Sequence, residues 1–106
     1  MLTTIRVSSS TPTFEWDAEK AKANYRKHGI GFETATEVVD DPFAVEMIDE
    51  LSGAHGEERF LITGLSKSHL ILTAVYTERG DNIRIISARR ATKAERDNYH
   101  SQNAKD

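Results

Sequence analysis

The chain has 106 residues, no cysteine and a formal charge of −3. That length gives one domain with enough surface to bury a core unaided. The missing cysteines exclude disulfides and thiolate metal sites and fit a cytoplasmic protein. No apolar run approaches the length of a membrane span or a signal sequence. The mild acidity argues against a plain nucleic-acid binder, but the charge is unevenly spread. Residues 33–58 carry nine acids and no Lys or Arg, whereas residues 79–106 carry seven bases against four acids. Such asymmetry gives one face for a polyanion and another for a basic partner, unless the two segments neutralise each other in the fold.

Residues 1–13 are rich in Ser and Thr and lack periodicity. They read as a disordered lead, or one foreign to the domain, with a single domain over 14–106. Residues 14–16 form a short strand candidate. Asp17 is suited to cap a helix over Ala18–His28, with Ala18, Ala21, Tyr25 and His28 as its apolar stripe. Gly29 closes that helix, because glycine tolerates the left-handed conformation. A second helix over Phe32–Val39 presents Phe32, Ala35 and Val39 and stops at Asp40-Asp41-Pro42. Residues 43–49 alternate loosely as a strand, and 50–57 form a polar loop.

Three strands follow, over 58–66, 69–79 and Asn82–Arg90. The first two are joined by a tight turn near Lys67-Ser68, and the last two at Gly80-Asp81, a strong hairpin signal. The second turn predicts Glu78 opposite Ile83, Thr77 opposite Arg84, Tyr76 opposite Ile85 and Val75 opposite Ile86. Leu70, Leu72, Ala74 and Tyr76 then share the core face with Ile83, Ile85 and Ser87. The other face carries Thr73, Thr77, Arg79, Arg84 and Arg90. A simple first hairpin puts Arg59 opposite Tyr76, on the core side, and a single bulge would reverse it. Thr92 and Glu95 form a capping box for a last helix with a thin apolar face, fraying after about His100.

The strand Asn82–Arg90 has apolar residues at both parities, as expected mid-sheet. It carries Arg84 and ends in Arg89-Arg90, so it can build an anion site on a rigid base. The structural alternative is that these arginines pair with acids.

The chain resembles the BrnT family of bacterial type II toxins over about 14–99. The likeness rests on Phe-Glu-Trp-Asp at 14–17, Asn24, Lys-His-Gly at 27–29, Phe32-Glu33, Asp-Asp-Pro at 40–42 and Glu-Glu-Arg-Phe at 57–60. It continues through Thr-Glu-Arg-Gly at 77–80, Arg-Ile-Ile-Ser-Ala-Arg at 84–89, Ala91 and Glu95-Arg96. The resemblance implies an α+β, RelE-like fold with two N-terminal helices on a mainly antiparallel sheet and a C-terminal helix. It further implies RNA cleavage that inhibits translation and neutralisation by a cognate BrnA-like antitoxin with a ribbon-helix-helix region. Operator DNA would be met only through that antitoxin. The net acidity departs from the basic character usual in RelE-like nucleases.

RNA cleavage without a metal needs a base for the 2′-OH, an acid for the leaving 5′-oxygen and cations for the phosphorane. The expected catalytic set is His28, Arg59, Arg89 and Glu58. The expected RNA contacts are Trp16, Lys27, Arg79, Arg84, Arg90 and Tyr99. Each has a structural alternative. His28 can be a hydrogen-bonded core histidine, Glu58 can merely hold Arg59, and Arg79 can be solvated beside its turn. Trp16 can pack in the core, and Tyr99 can anchor the last helix. The four histidines show no metal-ligand spacing, and no cofactor is expected. A non-catalytic module that completes an antitoxin–DNA complex is the alternative function.

Overall fold

A computed structural model of the protein describes residues 7–8, 13–49 and 57–104. Its elements are β1 (Val7–Ser8), β2 (Thr13–Glu15), α1 (Ala18–His28), α2 (Phe32–Val39), β3 (Val45–Asp49), β4 (Arg59–Leu65), β5 (Ile71–Arg79), β6 (Asn82–Arg90) and α3 (Lys93–Asn103). The strands form one sheet in the order β1-β2-β6-β5-β4-β3. Every ladder is antiparallel except β2 on β6, which is parallel. This is the expected α+β architecture. Of the lead expected to be disordered, Thr13 opens β2 and Val7–Ser8 pairs with that strand. The rest of it, 1–6 and 9–12, lies outside the described residues, as do 50–56 of the polar loop.

Local chemistry sets the helix ends. The Asp17 carboxylate accepts from the backbone N–H of Glu19 and Lys20, and Gly29 at φ 72° returns its N–H to Tyr25. The inward face of α1 is not the predicted stripe, because Tyr25 and His28 are exposed and Asn24 is buried. Asn24 donates to the carbonyls of Ile30 (3.0 Å) and Ala88 (2.8 Å) and accepts from the Ala88 N–H (3.1 Å). A buried amide is tolerated there because it is fully bonded. On α2 the buried residues are Phe32, Ala35 and Val38. This helix lies so close to β4 that a Cβ added at Gly64 would meet Val38 at 3.0 Å and the Asp41 carboxylate at 3.1 Å.

The core lies between the sheet and α1–α2. Phe14, Ile62, Leu72, Ala74, Tyr76, Ile85 and Ala88 meet Trp16, Ile30, Phe32, Ala35 and Val38 there. Trp16 sits edge-on to Phe32 at 6.0 Å, and Phe60 stacks on Tyr76 at 5.2 Å.

Two backbone events depart from the predicted register. The β5–β6 ladder follows the prediction from Arg79–Asn82 to Tyr76–Ile85 and then shifts, so that Val75 faces Ser87 rather than Ile86. Ile86 is the extra residue of a bulge. The shift puts Arg89 opposite Thr73 on the face away from α1 and α2, and Arg90 opposite Leu72 on the helix side. The β4–β5 connection is also longer than predicted. Leu65 pairs with Ile71, His69 takes φ 67°, and the Ser66 N–H donates to the Leu70 carbonyl. A loop with its last residue left-handed is a standard hairpin solution. Its extra residue pairs Arg59 with Thr77, moving it off the core side.

Candidate functional site

The face of the sheet away from α1 and α2 carries Glu15, Arg84, Thr77, Arg59, Thr73, Thr63 and Arg89, by the strand registers. Its arginines are engaged. Arg84 Nη1 donates to Glu15 Oε2 at 2.9 Å, and Asn82 donates to the other carboxylate oxygen. Burial pushes the Glu15 carboxyl up, but the hydrogen bonds from Asn82 and Arg84 and the Arg84 charge outweigh it, so it sits below the usual range. Arg89 makes a two-pronged contact with Glu95, at 2.7 and 3.0 Å. Thr73 also donates to Glu95, and the Thr92 N–H completes the capping box. The hydrogen bonds from Arg89 lead in pulling Glu95 down to about 2. Arg89 therefore ties the start of α3 to β6.

Trp16 is 1% exposed and offers no face to a base. Tyr99 is buried, and its hydroxyl donates to Asp41 at 2.6 Å. Burial and the Asp41 carboxylate push Tyr99 up to about 12, which suits an anchor for α3 rather than a proton donor. Asp41 also accepts from the Leu65 and Phe43 N–H groups, and Asn103 donates to the Phe43 carbonyl. The acidic and basic segments of the sequence thus meet here through neutral donors. Arg59 is 3.7 Å from Glu57, and Glu58 is exposed, with its carbonyl accepting from Thr77. Arg79 is exposed at the β5–β6 turn.

The predicted catalytic set is not brought together. Arg59 pairs with Thr77 on β5, while Arg90 pairs with Leu72. Five residues of strand separate those positions, about 17 Å. α1 reaches toward the second end, although His28 is not among the residues that line a hollow there. His28 shares a face of α1 with Asn24, one turn on, and Asn24 is bonded to Ala88 beside the end of β6. The hollow, of about 310 Å³, is lined by His69, Leu70, Ile71, Arg90, Ala91 and Arg96. Arg96 donates there to the Ala91 carbonyl at 2.9 Å, and among the described residues no carboxylate pairs with it. Lys27, His28, His69 and Arg90 are exposed. The sequence reading missed His69 and Arg96. The left-handed His69 comes from a turn whose length is not visible in its residues, and Arg96 was seen only as part of a motif.

Among the described residues no three His, Asp or Glu side chains group to hold a metal ion, and no helix is long and apolar enough to cross a membrane.

The Brucella abortus ribonuclease toxin BrnT has a solved structure that matches with TM-score 0.58 and 21% identity, over 74% of this chain and 94% of that one. The chain thus has the fold of a ribonuclease toxin. Residues 16–95 match the family described as the ribonuclease toxin BrnT of type II toxin–antitoxin systems, and the chain belongs to that family. No curated protein matches. Membership in a type II family implies an antitoxin partner.

Proposed function

We propose that the chain is a toxin that cleaves RNA by acid–base chemistry without a metal, in the cytoplasm. The reaction is assigned to the end of the sheet where α1, the β4–β5 turn and the end of β6 converge. The observation that carries this is the gathering of cationic and imidazole side chains at that end, in contrast to Arg84 and Arg89, which are held by carboxylates. In this reading Arg90 and Arg96 hold the phosphate and Lys27 holds the flanking strand. His28 takes the 2′-OH proton, the 2′-oxygen attacks phosphorus, and His69 protonates the departing 5′-oxygen. The products are a 2′,3′-cyclic phosphate and a 5′-hydroxyl. Arg59 and Glu58 would touch RNA only beyond the scissile phosphate.

Purified protein incubated with RNA in excess chelator is expected to give those ends. Cleavage that appears only on adding a divalent cation would overturn the metal-free mechanism. The locked Arg84 and Arg89 favour a second reading, a non-catalytic module that completes an antitoxin–DNA complex. No cleavage under either condition, with tight binding of a BrnA-like ribbon-helix-helix antitoxin, would establish it.

A further inference from the structure

β3 is the last strand in the sheet order, so one side of its backbone faces no neighbouring strand among the described residues. Edge strands are normally short of exposed apolar side chains, because an open apolar edge invites pairing. Here Met47 and Ile48 are 58% and 57% exposed, and Phe43 just before them is 61% exposed. Between β3 and α3 runs a groove of about 700 Å³ lined by Val45, Met47, Leu61, Thr63, Ala94 and Asn98. Met47 pairs across from Leu61 on the face of this groove, and Ile48, which pairs with Phe60 on the other face, also borders the groove at the open edge. An added strand would therefore find an apolar contact on both sides of the sheet.

The charge around this edge selects its occupant. Residues 33–58 contain no Lys or Arg. Glu46, in the middle of the edge, is exposed. Partial burial and the charge of Glu78 hold its carboxyl above the usual range. Two copies of the chain paired through β3 would set one acidic strand against another, with no Lys or Arg in Val45–Asp49 of either copy to offset Glu46.

We propose that the β3 edge and its groove dock an extended segment of a protein partner, apolar at alternate positions and basic between them, added as a further strand. Only the identity of the partner, the antitoxin, rests on the toxin reading above. Amide hydrogen exchange of the full chain with and without purified cognate antitoxin tests it. Antitoxin is expected to slow exchange across Val45–Asp49. M47K and I48K should each weaken antitoxin binding by about tenfold, with melting temperature and RNA cleavage unchanged. Protection elsewhere with β3 unprotected, parental affinity in both variants, or no antitoxin binding would overturn the docking site and leave RNA cleavage untouched. Self-association through β3 in sedimentation would overturn it as well. Absence of cleavage with antitoxin still protecting β3 would sink the nuclease reading and support the docking site.

Discussion

Arg89 and Arg90 are neighbours on one strand and do different work. Arg89 points away from α1 and α2 into a carboxylate that accepts from four donors, and its charge is consumed in fixing α3. Arg90 lies on the other side of the same strand, exposed at the rim of a hollow with His69 and Arg96. The side chain is the same in both places. What differs is whether an acid lies within reach, and a single bulged residue decides which arginine meets it. A guanidinium on a stiff strand is a strut where it is neutralised and stays open to an anion where it is not.

The contrast can be broken most directly at the reaction. H28A and R90A should each lower RNA cleavage by about 100-fold or more, with little change in chemical denaturation. Full activity in both, in folded protein, would move the site elsewhere. R89A should instead destabilise by about 2 kcal/mol, because it leaves Glu95 half-buried without its cation. Urea unfolding measures that loss, and a value near zero would mean Arg89 is no strut.

The same pair can be loosened with acid. Glu95 is depressed from 4.5 to about 2 in the fold, so its stabilisation is complete above about pH 5. It is lost as pH falls from about 4.5 toward about 2, by up to about 2 kcal/mol. E95Q should flatten that part of the melting-temperature profile, and parallel profiles for parent and variant would refute it. At the weak end stands Lys93–Asp97, an exposed pair one helical turn apart at 2.7 Å. K93A should cost less than about 0.5 kcal/mol, and a larger loss would show that exposure does not govern these pairs.

Much of the fold is readable from local chemistry. Asp17, Gly29 and the Thr92–Glu95 box set helix ends, and Gly80-Asp81 sets the register of its hairpin. What the residues do not display is the count of backbone steps. Ile85 and Ile86 are equally apolar, so nothing marks the second as the bulge. The turn at 66–70 similarly hides its extra residue. Each event turns a strand by one parity, which is why Arg59 and Arg90 sit opposite to their predicted faces and Arg89 turns away from α1 and α2. The inward face of α1 escaped for another reason. An asparagine that satisfies three backbone groups is as good an anchor as an apolar side chain, and hydropathy does not reveal it. The family motifs contain Arg96 and the strand end supplies Arg90, but only the folded arrangement brings them together with His69 and separates Arg59 from them.

The parallel seam between β2 and β6 joins Glu15 to Arg84, 69 residues further along. During synthesis β2 can pair early with β1 but must wait for β6, which is made after every other described strand. A nascent chain stalled or truncated before Asn82 has no centre to its sheet, and shortening from that end should release unfolded protein rather than a smaller working domain.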